Sequence, residues 1–204
     1  MNISFYQSDL QKFNLSNSQS AKIFKLINLL KANNLKTNLV GKSTLSNPLI
    51  SHILDSIQIS NFINNRHAKI VDLGTGAGFP GLVLSIYGYL NLSLVDSNLK
   101  KIKFLNTASK ELNLSLNIIN SRVENLSNIK FDFIISRALA KLDKLLFYSY
   151  ALSHKKTKLI FLKGIKLYEE IKDAERNWKI SYSVNKSISD PRGKVIYINS
   201  FFKK

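Results

Sequence analysis

The chain has 204 residues, 45% of them apolar, and sets 30 lysines and arginines against 13 acids for a formal charge of +17. That is enough apolar chain for one main domain with an appendage, and the absence of cysteine excludes disulfides, thiolate metal sites and a cysteine nucleophile. Met1 to Tyr6 shows no basic stretch leading into an apolar one, and the longest apolar-rich run, 82–95, is broken by Ser85, Asn91 and Ser93; neither a signal peptide nor a membrane span is expected, and the expected location is the cytoplasm.

The first 65 residues read as a small helical extension. Ile23, Phe24, Ile27, Leu29 and Leu30 recur at helical spacing over 21–30, with Ser18 or Ser20 placed to cap the helix. Residues 33–48 read as a loop and 52–59 as a second helix, on which His52 and Asp55, three apart, can pair. The remaining histidines, His67 and His154, are scattered without metal-ligand spacing, so no metal is expected.

From residue 66 onward short apolar runs alternate with amphipathic stretches. Strands are predicted at 69–73, 92–95, 116–119, 131–135 and 158–162, and helices at 80–88, 98–113, 141–152 and 165–177. Such alternation implies an α/β fold with a parallel sheet covered on both faces. Residues 180–187 and 194–202 flank the turn Ser189-Asp-Pro-Arg-Gly193 and read as a C-terminal antiparallel hairpin. Five parallel strands closed by a hairpin are the Rossmann-like pattern of class I methyltransferases that use S-adenosylmethionine (SAM), whereas a dehydrogenase would add a sixth parallel strand or a substrate domain.

Between the first strand and its helix lies Asp72-Leu-Gly74-Thr-Gly76-Ala-Gly78-Phe79-Pro-Gly81, which holds four of the chain's eight glycines. A glycine turn there lets backbone approach a ligand and exposes a helix N-terminus. Two patterns overlap in it. Asp72-x-Gly74-x-Gly76-x-Gly78 fits a SAM loop, and Gly76-x-Gly78-x-x-Gly81 fits a dinucleotide loop, so an NAD-dependent oxidoreductase is one rival reading, and a methyltransferase acting on a different RNA or a small molecule is another. The oxidoreductase would need a catalytic acid, a placed histidine or a Tyr-x-x-x-Lys. Asp96 ends the second strand 22 residues after Gly74, where a carboxylate accepts from ribose hydroxyls or, alternatively, caps the following helix. Ser121-Arg122-Val123-Glu124 follows the third strand, where adenine would lie.

The fourth strand ends in Ile134-Ile-Ser-Arg137-Ala-Leu139 and lacks the D/N/S-P-P-aromatic tetrapeptide of exocyclic-amine methyltransferases. With pyrimidine carbon-5 chemistry also excluded for want of a cysteine, a nucleophile needing no deprotonation remains, such as guanine nitrogen-7. Arg137 and Lys163 stand at neighbouring strand ends and are assigned to positioning, on phosphate, a guanine edge or the cofactor carboxylate, with no general base expected. The positive charge points the same way. Lysine and asparagine (25 and 22 residues) share adenine- and thymine-rich codons, yet codon bias gives no reason for acids to be so few, and a nucleic-acid partner is expected.

At these residues the chain resembles the glucose-inhibited division protein B family, the bacterial small-subunit ribosomal RNA methyltransferases G. The matching segments are His52-Ile-Leu-Asp-Ser56, Asp72 to Gly81, Leu94-Val-Asp-Ser97 with Lys100 to Leu105, Ser121 to Glu124, Ile135-Ser-Arg-Ala138 and Leu162-Lys-Gly164, in family order. The resemblance implies SAM as methyl donor and methylation of a guanine at nitrogen-7 in 16S ribosomal RNA, within the small ribosomal subunit, by a monomer. It further implies cofactor contacts at Gly74, Phe79, Val123, Glu124 and Arg137. Asn38, His52 and Arg122 are assigned to the RNA; the family's Asn-Leu-Thr is here Asn38-Leu39-Val40.

Overall fold

The computed structural model describes residues 13–126 and 129–204; Met1 to Tyr6, where no leader is expected, lie outside them. Helix α1 (Asn17–Thr37) is longer than its apolar spacing suggested, and its cap is Ser16, in a reciprocal capping box with Gln19, rather than Ser18 or Ser20. It runs on through the expected loop because its asparagines are satisfied locally: Asn33 donates to Leu29 O, and buried Asn34 bonds both backbone groups of Val40. A short α2 (Lys42–Leu45) follows. Then a π turn (Leu49–Leu54), one α turn (Asp55–Ile57) and a 3₁₀ turn (Gln58–Phe62) run on end to end. Widened turns of this kind are frequent at functional sites.

The remainder is β1 (Lys69–Leu73), α3 (Gly81–Tyr87), β2 (Asn91–Asp96), α4 (Leu99–Glu111), β3 (Asn117–Asn120), β4 (Phe131–Arg137), α5 (Leu142–Ala151), β5 (Ser153–Lys163), α6 (Leu167–Ala174), β6 (Trp178–Lys186) and β7 (Lys194–Lys203). One seven-stranded sheet forms in the order β3-β2-β1-β4-β5-β7-β6. Its first five strands are parallel, and β7 inserts antiparallel between β5 and β6. Both faces are covered, so Ile70, Val71, Leu73, Ile134 and Ile135 have no exposed surface, which is why these strands read as unbroken apolar runs. The helical extension shares a core with one face of the sheet: Ile23, Leu26, Leu30 and Ile53 pack in the same cluster as Leu82, Ile86 and Leu105.

Parallel strands put all their C-terminal ends on one edge, and the strand order reverses between β1 and β4. That switch point is where open α/β sheets bind ligands. The loops after β1, β2, β3 and β4 all meet there.

Candidate functional site

The loop after β1 is built around a carboxylate that no ligand can touch. Asp72 has no accessible surface; its Oδ2 accepts from Thr75 Oγ1 at 2.6 Å and Gly81 N at 2.9 Å, holding the loop from behind, and its Oδ1 has no partner. Burial pushes its carboxyl up to about 6. Its assignment to the cofactor is therefore corrected: a side chain on a strand covered on both faces braces the loop. Gly81 is glycine for the same packing reason, since a Cβ would stand 2.1 Å from Leu94 and 2.9 Å from Asp72. Gly78 and Phe79, also expected at the cofactor, are buried; Gly78 backs onto Leu82 and Leu105, and the Phe79 ring stacks on His52 at 4.7 Å between centroids. Gly76 differs. Its φ is +62°, and the nearest atom to a Cβ there, Lys101 Nζ, is 3.8 Å away, so a Cβ would overlap nothing.

A cavity of about 210 Å³ is lined by Gly74, Asp96, Val123, Glu124, Leu139, Lys144 and Tyr148, among others. Asp96 receives Gly76 N at 2.9 Å and Asn98 N at 2.8 Å, while the following helix is capped by Asn98. The alternative role for Asp96 as the cap is thereby removed, and its carboxylate still borders the cavity. Glu124 accepts from Tyr148 Oη at 2.6 Å, and this bond holds its carboxyl below the usual range. Arg122, assigned to RNA, borders this smaller cavity. The residues fit a ribonucleoside: a carboxylate for sugar hydroxyls, a part-exposed glycine wall, and Tyr148 with Glu124 opposite. Tyr148 and Lys144 were missed in the sequence because they sit on α5, far in sequence from the loops they face.

A larger cleft, about 600 Å³, adjoins it, and Leu139, Ala140 and the turn leaving β4 form the partition. Leu139 leans over Gly74, and Ala138 holds a φ of +55°. Arg137 forms one wall. Its Nη1 donates to Ser51 O at 2.9 Å and to Asp55 Oδ2 at 3.0 Å; its Nη2 lies 3.0 Å from His52 Nδ1; and its guanidinium sits 5.4 Å over the Phe79 ring. His52 and Asp55 thus meet through Arg137 rather than pairing with each other. The network also assigns the imidazole. Thr44 Oγ1 donates to Gly41 O, so it accepts the Nε2 proton of His52, which leaves Nδ1 to accept from arginine. Burial and then the Arg137 charge hold this histidine down to about 3.

Three further assignments change. His52 is 3% exposed, too buried to touch RNA, and its ring contacts Arg137 instead. Asn38 lines neither cavity; it closes α1 as a left-handed cap at φ 45°. Lys163 is no free cation, since its Nζ is paired with Glu170 at 2.5 Å and donates to Ala140 O at 2.8 Å, with its side chain 7% exposed. It anchors the turn after β4. Among the described residues no group of acids and histidines could hold a metal ion, and no helix is long and apolar enough to cross a membrane.

A family model described as rRNA small subunit methyltransferase G matches residues 19–195. The ribosomal RNA small subunit methyltransferase G of Rickettsia prowazekii is 38% identical over 176 residues, 86% of this chain and 91% of that protein. Its counterpart in Orientia tsutsugamushi is 37% identical over 186 residues, 91% and 93%. Among solved structures, a ribosomal protein L11 methylase from Lactobacillus delbrueckii matches with a TM-score of 0.59 at 18% identity, over 71% of this chain and 75% of that one. A magnesium protoporphyrin IX methyltransferase from Synechocystis, solved with SAM, matches at 0.56 and 16% identity, over 72% and 78%. At such identities the likeness is one of fold.

Proposed function

The chain belongs to the rRNA small subunit methyltransferase G family, and from that premise we propose that it transfers a methyl group from SAM to nitrogen-7 of a guanine in 16S ribosomal RNA. One observation carries the reading: the family match spans every residue lining both cavities, from Thr44 to Lys194. The smaller cavity takes the cofactor and the larger cleft the acceptor base. The substrate is RNA of the small ribosomal subunit, and the working form is a cytoplasmic monomer.

Bound SAM supplies an electrophilic methyl on a cationic sulfur. Asp96 would hold the ribose through its carboxylate, and Glu124 and Tyr148 would border the adenine. Guanine nitrogen-7 presents a lone pair and carries no proton, so no side chain has to accept one. The protein's task is alignment and exclusion of water from the reacting pair. Arg137, fixed by three partners, lines the cleft beside the turn that separates donor from acceptor. Lysine in its place can reach one of those partners and alanine none. Single-turnover methyl transfer from saturating SAM should therefore fall in the order Arg137, Arg137→Lys, Arg137→Ala, with far smaller changes in RNA affinity. Unchanged turnover in Arg137→Ala would remove it from the site. Calorimetric heat with NAD and none with SAM would overturn the function.

A further inference from the structure

One carboxylate in the extension joins two walls of the acceptor cleft. Asp55 Oδ2 takes Arg137 Nη1 at 3.0 Å. Its Oδ1 takes Ser189 Oγ at 2.5 Å, Gln58 Nε2 at 3.0 Å and Ser187 Oγ at 3.4 Å. Gln58 strengthens the second attachment, donating to Ser187 Oγ at 3.1 Å and accepting from Ile188 N at 3.0 Å. Loop 187–193 joins β6 to β7, and β6 is the outermost strand of the sheet. These side chains from the 49–62 helical segment therefore locate the loop relative to β4. The loop gives the cleft Ser187, Ser189, Asp190, Pro191 and Gly193, and β4 gives it Arg137. Both partners of the ion pair and both serines line the cleft, while none of them borders the cofactor cavity.

We propose that Asp55 is a positioning residue for the methyl acceptor, setting the distance between Arg137 and loop 187–193 and so the width of the cleft. The proposal rests on the reading that this cleft receives the RNA base. The charge matters as well as the shape. An amide at this position would turn a donor toward either Arg137 or Gln58 Nε2, both of which are donors themselves, and would leave the guanidinium without its counter-ion. A base admitted to a wider cleft still binds, but meets the methyl at the wrong distance. Misplacement by about 1 Å costs on the order of 100-fold in rate.

The test compares Asp55→Asn with the double variant Ser187→Ala/Ser189→Ala, which removes the loop's hydroxyl ties to Asp55 and keeps both the Arg137 ion pair and the Gln58–Ile188 N bond. Four quantities are measured: SAM Kd by calorimetry, kcat and KM on small-subunit RNA, and amide exchange of residues 187–193 without substrate. Exchange in the loop should rise in both variants. The turnover number kcat should fall about 100-fold in Asp55→Asn and about 10-fold in the double variant, with KM moving less. SAM Kd should stay within about threefold, under 1 kcal/mol. A role confined to holding the fold would weaken SAM binding in step with kcat, and that result would overturn the proposal. So would wild-type kcat in the double variant, which decides the matter alone if Asp55→Asn does not fold, or unchanged loop exchange in both. A wild-type chain that methylates no small-subunit RNA would sink the proposed function instead, and the exchange data would still decide whether Asp55 holds the loop.

Discussion

His52 should make the protein acid-sensitive in a calculable way. Its imidazole is held to about 3 against an ordinary 6.5, so the stabilisation is complete above the unfolded value and is lost as pH falls toward the folded one. At about pH 5 the unfolded histidine is almost fully protonated and the folded one almost not at all, which costs about 2 kcal/mol of stability relative to about pH 7.5. Any folded value well below 5 gives the same loss there, since the unfolded pKa sets it. Asp72 works in the opposite sense. Its carboxyl is raised to about 6 from 3.8, so its protonation in the folded state stabilises the protein over the same acid range, and the wild-type profile records both effects. Substitution separates them. His52→Gln keeps an acceptor for Arg137 and a donor for Thr44 but does not titrate, so it loses the stacking on Phe79 at neutral pH while its acid slope is shallower. Urea unfolding of both proteins across this pH range should give a stability difference that shifts by about 2 kcal/mol in the variant's favour on going to pH 5. Parallel curves would mean that His52 protonates as readily in the folded protein as in the unfolded, and the tautomer drawn from Thr44 and Arg137 would fall with it.

Gly76→Val should abolish SAM binding by calorimetry, because the side chain enters the open face of the loop and the φ of +62° disfavours a β-branched residue; normal SAM affinity would remove the loop from the site. Lys163→Met should cost about 3 kcal/mol in urea unfolding, since it strands the partly buried Glu170 carboxylate and frees Ala140 O, and adding Glu170→Gln should recover part of that loss; a neutral single variant would make the pair dispensable. Binding of small-subunit RNA should weaken steeply with salt, with a log–log slope set by the phosphates neutralised, and a flat response would leave the +17 charge without a role in binding.

The sheet was legible because its strands are covered on both faces and read as apolar runs separated by helical spacing, down to the hairpin signalled by Asp190-Pro-Arg-Gly193. The glycine loop and Asp96 were legible for a similar reason, since their spacing is local. Spacing alone does not tell which side of a loop a residue faces. Asp72, Gly78 and Phe79 carry the pattern and lie behind it, whereas Gly74 lines the cavity and Gly76 is only partly buried. Lys163 looked like a strand-end cation because Glu170, seven positions on, is brought back to it only by the turn into α6. The tie between Asp55 and Ser189 crosses 134 positions and leaves no mark in the sequence.

Methyl transfer from SAM to guanine nitrogen-7 of 16S ribosomal RNA is tested most directly by following labelled methyl from SAM into small ribosomal subunits lacking the modification, with mass mapping of the methylated nucleotide. Label should appear on a single guanine of 16S ribosomal RNA, at nitrogen-7. Label on an exocyclic amine or a ribose, or no label in RNA from a protein that binds SAM, would contradict it.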